Sequence, residues 1–155
     1  MTKASRRKLN ELDFLQDDVG GWYFVSENGE PYSGVLFEMY SNGRMAYEGK
    51  YEDGYKMGYQ TYWYENGQLK ENTFSCWDNP HGPCKAWSET GDIVFEAEYN
   101  YGYKLWSNTY DNLGELVDKY QIDDHPQELI KLNKWISDLQ ERGIIWKWDK
   151  SLTSL

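Results

Sequence analysis

Two cysteines among 155 residues, Cys76 and Cys84, are too few for a disulfide scaffold. No apolar run approaches the ~20 residues of a membrane-spanning helix, and the mean hydropathy is −0.88. Basic residues are scarce, 16 against 26 acidic ones, for a net charge of −10. That balance argues against a nucleic-acid binder, because phosphate contacts need a basic surface. Catalytic signatures are missing too. There is no Gly-rich loop ending in Gly-Lys-Ser/Thr, no His-Glu-x-x-His and no Gly-x-Ser-x-Gly. No enzymatic activity, cofactor or small-molecule substrate is therefore expected. Cys76, His81 and Cys84 are close in sequence, but without a fourth ligand or a Cys-x-x-Cys pair they read as small thiols beside a turn, not as a metal site. The opening Met1–Gly21 is basic at its start yet lacks the roughly 7–15 apolar residues of a secretory signal. A cytoplasmic location is the expectation.

What the chain does have is aromatic mass. Tyrosine (14), tryptophan (8) and phenylalanine (5) make up 17% of it, a supply of large buriable groups that disordered chains lack. It also has unevenly placed acidity: residues 11–124 carry 7 basic and 22 acidic groups, a charge of −15, whereas residues 1–10 carry +4. A cationic partner suits such a segment.

A repeat organises that acidic segment. Aligned on a turn glycine, the units read Ser41-Asn42-Gly43, Glu65-Asn66-Gly67, Glu89-Thr90-Gly91 and Asn112-Leu113-Gly114, spaced by 24, 24 and 23 residues. A shorter unit, Trp22 to Gly29, precedes them. Asn-Gly between runs rich in Tyr, Trp, Phe, Val and Thr signals a hairpin, with positive φ at both central residues of a type I′ turn. A second glycine recurs nine residues before the anchor (Gly34, Gly58, Gly82), replaced by Leu105 in the last unit. Glu52-Asp53-Gly54, the run Asp78 to Gly82 and Asn100-Tyr101-Gly102 supply the turns between units. Two columns are apolar in every unit, Met39/Trp63/Trp87/Tyr110 and Met45/Leu69/Ile93/Leu116. They are assigned to the buried face, with Tyr51. The columns Arg44/Gln68/Asp92/Glu115 and Lys50/Phe74/Glu98/Gln121 are assigned mostly to solvent.

The expected fold is mainly β: a meandering antiparallel sheet of repeated hairpins, about ten strands, over residues 22–122. A sheet of this type has open ends that need covering. A C-terminal helical cap is expected over residues 123–155, with Asp124 as capping side chain, Pro126 and Gln127 in the first turn, and Leu129, Leu132, Ile136 and Leu139 on one face before Gly143. Ile144, Ile145, Trp146 and Trp148 would complete its packing. A short N-terminal helix over residues 7–18, with Leu9, Leu12 and Leu15 inward, would occupy the other end of a single domain, 1–155.

The unit from Gly58 to Glu71, with Tyr62-Trp63-Tyr64-Glu65-Asn66-Gly67-Gln68-Leu69-Lys70 at its heart, resembles the MORN-variant repeat of bacterial proteins. Met39 to Tyr51 follows the same pattern, and the resemblance covers residues 22–122, departing at Thr90, Cys84, Ala86, Leu105 and Leu113. Many bacterial proteins with this repeat look like antitoxins or immunity proteins. What the resemblance implies is a chain that binds a toxin, of a nuclease-like type with a cationic cleft, and occludes its active site. The acidity agrees independently, since charge complementarity raises association rates and rejects wrong partners.

The residues that would face such a partner are acidic groups at turns and in polar columns, Glu48, Glu52, Asp53, Glu65, Glu71, Asp78, Glu89, Asp92, Glu96 and Glu98. Aromatic residues in irregular columns or beside turns join them: Tyr62, Tyr64, Trp77, Tyr101 and Tyr103, with Tyr47 also a candidate for exposure. The bland alternative is a charged surface that keeps the sheet soluble and its edges unpaired. Two further readings stand beside the antitoxin one. Gly21 to Gly34 looks like a choline- or cell-wall-binding repeat, in which aromatic cages hold a quaternary ammonium, and the repeat's eukaryotic relatives suggest a membrane-associated scaffold. Anionic lipid would repel the −15 segment.

Overall fold

The structure, a computed structural model, describes residues 6–16 and 22–142. It is mainly β, as the repeat predicts. Nine strands form one sheet in the order β1 (Arg6–Lys8), β4 (Gly34–Met39), β5 (Met45–Glu52), β6 (Tyr55–Trp63), β7 (Leu69–Cys76), β8 (Asn79–Trp87), β9 (Ile93–Asn100), β10 (Tyr103–Tyr110) and β11 (Leu116–Gln121). A separate two-stranded sheet pairs β2 (Asp13–Gln16) with β3 (Trp22–Val25). From β4 onward each strand pairs with the next in sequence, so the meander is as expected. The chain divides into two compact units at residues 119 and 120.

Both kinds of repeated glycine have a structural cause, although the turns are distributed differently from the expectation. At the Asn-Gly loops only the glycine has positive φ: Gly43 at 82°, Gly67 at 92°, Gly91 at 95° and Gly114 at 79°. Each loop has three residues, closed by bonds such as Gly43 N to Tyr40 O (2.9 Å) and Tyr40 N to Arg44 O (2.8 Å). This is a type I turn followed by a left-handed residue rather than the type I′ turn expected there. The two-residue turns with positive φ at both positions lie at the opposite edge: Asp53-Gly54 (50° and 86°), Trp77-Asp78 (50° and 64°) and Tyr101-Gly102 (46° and 85°). The second of these turns, expected at Asp78 to Gly82, is instead Trp77-Asp78, and Asn79 already opens β8. At Gly58 and Gly82 the second glycine marks a bulge, whereas Gly34 pairs regularly with Tyr51 at the start of β4. The ladder is interrupted between Gly49 and Tyr51 on the β6 side and between Thr73 and Ser75 on the β8 side, where Gly58 (110°) and Gly82 (80°) take conformations other residues avoid.

The two apolar columns bracket the loops instead of forming the core. Met39 pairs with Met45, Trp63 with Leu69 and Trp87 with Ile93, the last rung before each loop. Met39 (47%), Ile93 (38%) and Leu116 (52%) are exposed, and Trp63, Trp87, Tyr110, Met45 and Leu69 are half-buried. Their recurrence reflects cross-strand pairing at the strand ends, where water reaches both faces. The arginine-to-glutamate column beside the loops is exposed throughout, but of Lys50, Phe74, Glu98 and Gln121 only Lys50 is. The buried positions lie further along the strands. Register places Gly49, Gln60, Thr73, Cys84, Ala97 and Ser107 side by side across β5 to β10, and all but half-buried Thr73 are buried.

One end of that face is covered by the N-terminal segment. Leu12, Tyr32, Leu36, Tyr47 and Tyr51 form the core cluster, with Leu9, Phe24 and Tyr62 packed against it. The helix expected at residues 7–18 does not form among the described residues of that stretch. Arg6–Lys8 pairs in parallel with β4, a 3-10 turn follows at Leu9–Glu11, and β2 comes next. The edge of β4 offers backbone groups that β1 satisfies. A 3-10 turn aligns residues i and i+3, which explains why Leu9 and Leu12 turn inward while Leu15 is 46% exposed. Positions 17 and 18 lie outside the described residues.

In the second unit, α1 spans Pro126–Glu141, with Leu132 and Leu139 buried and Leu129 and Ile136 half-buried, matching the predicted stripe. Its N-cap is His125 without a side-chain capping bond; Asp124 belongs to the preceding 3-10 turn, Ile122–Asp124. The expected capping role of Asp124 is therefore not realised. Tyr120 stacks on His125 at 4.6 Å and donates to Glu128 at 2.7 Å. Gly143, Ile144, Ile145, Trp146 and Trp148 lie outside the described residues.

Candidate functional site

The meander sends alternate connections to opposite edges, so the fifteen candidate residues fall into four places. Tyr64, Glu65, Glu89 and Asp92 sit at the edge of three-residue loops. Glu52, Asp53, Trp77, Asp78, Tyr101 and Tyr103 sit at the edge of two-residue turns. Glu48, Glu96 and Glu98 lie on one face of the sheet, and Tyr62 and Glu71 on the other, as the register Glu48↔Thr61 against Tyr62↔Glu71 requires.

The first three loops are tied to one another by hydrogen bonds between repeats. Tyr40 Oη donates to Trp63 O at 2.7 Å and Tyr64 Oη to Trp87 O at 2.8 Å. Asn42 Nδ2 donates to Glu65 O at 3.1 Å and Asn66 Nδ2 to Glu89 O at 2.9 Å. Tyr and Asn thus recur in the sequence motif because each anchors the next repeat. Ser88 and Thr90 replace them in the third unit and hydrogen-bond within their own loop, with Thr90 Oγ1 donating to Asp92 at 2.6 Å.

That edge is also strongly acidic. Glu65, Glu89 and Asp92 are joined by Asp111 and Glu115, which the sequence reading did not single out; Glu115 was visible only as a member of an exposed column. Glu65, Glu89, Asp92 and Glu115 are exposed, and Asp111 is half-buried, its Oδ1 accepting from the amides of Leu113 (2.8 Å) and Glu115 (2.9 Å). Arg44 donates to Glu65 O at 3.2 Å and to Asn66 O, so its guanidinium is fixed on carbonyl oxygens of the next loop, and Lys70 lies over the Tyr64 ring at 5.5 Å.

The turn edge is aromatic. Tyr23 and Tyr55 lie 5.8 Å apart and Tyr55 and Trp77 5.3 Å apart; His81 contacts Tyr101 at 4.6 Å. Trp77 is 40% exposed, whereas Tyr101 and Tyr103 are half-buried. A repeated rung fixes the turns: Gly54 N to Tyr32 O (2.8 Å), Asp78 N to Lys56 O (3.2 Å) and Gly102 N to Pro80 O (2.8 Å). Asp78 Oδ1 accepts from Lys56 N at 2.8 Å, and desolvation pushes its carboxyl above the usual range. This double clamp holds Asp78 at positive φ. His81 is buried and its Nδ1 accepts from Tyr101 N at 3.2 Å, a structural role.

The acids on the faces are differently placed. Glu48 pairs with Arg6 at 2.7 Å, and Glu96 with Lys85 at 2.7 Å; the Lys85 hydrogen bond holds the Glu96 carboxyl below its usual range. Glu98, half-buried across from Pro83, is shifted upward by desolvation. On the other face, Tyr62 packs on Tyr47 at 4.8 Å, and Glu71 lies across from Tyr62 and Ala86. Tyr47, a candidate for exposure, is buried. Cys76 and Cys84 are buried free thiols, and burial raises the Cys76 thiol to about 11. Among the described residues no group of three or more His, Cys, Asp or Glu could hold a metal, and no helix is long and apolar enough to cross a membrane.

No family model matches the sequence, and no curated protein does. Among solved structures, S. aureus TarM bound to fondaparinux, alpha-GlcNAc-glycerol and UDP is similar at 11% identity and a TM-score of 0.37, over 74% of this chain and 20% of that one. A second TarM structure gives 11% identity and a TM-score of 0.34, over 72% of this chain and 20% of that one. This chain therefore spans about a fifth of those proteins, and likenesses this distant carry no argument about its function.

Proposed function

We propose that this chain is an antitoxin or immunity protein of the MORN-variant type, which binds a basic toxin and blocks its active site without performing chemistry. The observation that carries the reading is the loop edge. Glu65 and Glu89 are held by hydrogen bonds from the preceding loop, and Asp92 and Asp111 by bonds within their own loops, with Glu115 exposed beside them. A rigid line of like charges steers an oppositely charged partner and raises the association rate, with a range of about 10 Å at 0.1 M salt. Rigidity also lowers the ordering cost of binding.

The test is affinity capture at low salt from the source cells, followed by expression of the captured protein with and without this chain. The expected partner is stoichiometric, basic, toxic alone and harmless in its presence. Recovery of no basic protein, together with a melting-temperature rise on adding choline, would replace this reading with the ligand-cage one.

A further inference from the structure

Among the described residues the two outer strands of the nine-stranded sheet are unlike. There β1 comprises Arg6, Arg7 and Lys8, with Arg6 paired to Glu48 and Arg7 to Glu27. A short, charged strand is how sheets blunt an edge against further pairing. At the other side β11 is six residues long, and Leu116, Val117, Asp118 and Lys119 are all exposed. Leu116 is 52% and Val117 61% exposed, and Leu113 in the adjoining loop 79%. This stretch has no proline, and a single lysine guards it. Alternate residues along such a strand turn their N–H and C=O groups away from β10, forming a template for another strand.

We infer that β11 is a docking edge for an extended, basic segment of a partner protein, which adds as a tenth strand. This rests on the reading that the chain binds a basic protein, and it names how. Charge decides the occupant. Asp111, Glu115 and Asp118 flank the exposed strand, and the loop-edge acids Glu89 and Asp92 lie in the neighbouring loop. A second copy would bring the same acids against themselves, on a chain of net charge −10. A segment alternating Lys or Arg with Val satisfies both features: its backbone completes the ladder, its apolar side chains cover Leu116 or Val117, and its cations meet the flanking carboxylates.

The experiment uses the full chain with a capped Lys-Val-Arg-Val-Lys-Val-Arg-Val peptide and its Glu/Asp counterpart, read by fluorescence anisotropy and amide hydrogen exchange. The basic peptide should bind, slow exchange over residues 113–119 and leave the turn edge unchanged, while the acidic one should not bind. Val117→Lys and Leu116→Lys, both at exposed positions, should keep the melting temperature and weaken peptide binding at least tenfold. Protection confined to the other loops, or variants that bind like the wild type, would overturn the inference. A dimer abolished by Val117→Lys, without peptide protection, would also overturn it by assigning the edge to a second copy. If the captured toxin binds Val117→Lys and Leu116→Lys at wild-type affinity, the docking edge fails while the antitoxin reading stands. If β11 takes the peptide but no toxin is found, the reverse holds.

Discussion

Gly49→Ala should be among the most damaging single-methyl changes in this fold. Gly49 lies between Leu36 on β4 and Gln60 on β6, beneath a buried chain of hydrogen bonds. Tyr51 and Tyr47 hydroxyls are 2.8 Å apart, Tyr47 Oη donates to Gln60 Oε1, and Gln60 Nε2 donates to Lys50 O at 3.0 Å and Gly58 O at 3.2 Å. A Cβ at position 49 would overlap both Tyr47 Oη and Gln60 Oε1 and sit 2.7 Å from Tyr47 Cζ. Gln60 is 1% exposed, so no water can replace a displaced hydroxyl. Leaving a buried acceptor unsatisfied costs about 1–3 kcal/mol, and overpacking adds about 1–3 kcal/mol. Relief of glycine's extra unfolded-state entropy offsets about 0.5–1 kcal/mol. The expected loss is about 3 kcal/mol, read by urea unfolding followed by tryptophan fluorescence. In a Tyr47→Phe background the methyl no longer meets the hydroxyl, so its cost should fall by at least about 1 kcal/mol, a coupling that double-mutant analysis isolates. A loss below about 1 kcal/mol, or strict additivity, would refute the packing argument.

Three other outcomes are expected. Tyr64→Phe removes the bond to Trp87 O and should cost about 1 kcal/mol; adding Tyr40→Phe, which removes the equivalent bond one repeat earlier, should double that loss in the same unfolding assay. Trp77→Gly relieves a φ of 50° but loses the ring contact with Tyr55. Relief of φ and loss of the ring pair are each about 1 kcal/mol and offset one another, but losing the burial of an indole that is 40% exposed costs about 1–3 kcal/mol more, so the melting temperature should fall by several degrees, and an unchanged one would contradict the balance. Burial raises the hydroxyls of Tyr47 and Tyr51, the latter to about 12 from 10.0. A tyrosine with a raised folded pKa contributes stability that is present below pH 10 and is lost as pH rises toward the folded value, because the unfolded chain gives up its proton first. Urea midpoints should therefore begin to fall near pH 9, where the unfolded Cys76 thiol gives up its proton before the buried one, and fall more steeply above about pH 10, with part of the phenolate absorbance appearing only on unfolding.

The period, the hairpins and the C-terminal helix were legible because they depend on local chemistry: a glycine at each loop, and leucines recurring at helical spacing. Which turn sits at which edge was not. Asn-Gly favours positive φ in sequence logic, yet the three-residue loop needs it only at Gly43 and its equivalents, while Trp77-Asp78 adopts it with no glycine at all, held by Lys56. The buried face was misassigned because apolar recurrence also marks cross-strand pairs such as Trp63 and Leu69 beside the loops. The true inner positions, Gly49, Gln60, Cys84, Ala97 and Ser107, share neither size nor polarity, so no column of residue types announces them. For the candidate site, the sequence located Glu65, Glu89 and Asp92, but not Asp111 and Glu115, nor that the sheet sends the acidic loops to one edge and Trp77, Tyr101 and Tyr103 to the other.

The most direct test of the central claim is the association rate of the captured partner as a function of ionic strength, for the wild type and for Glu65→Gln/Glu89→Gln/Glu115→Gln. If the acidic loop edge steers a basic protein, the wild-type rate falls steeply as salt rises, and the triple variant starts about tenfold slower at low salt with a shallower slope. Equal rates for the two proteins at every ionic strength would contradict the account.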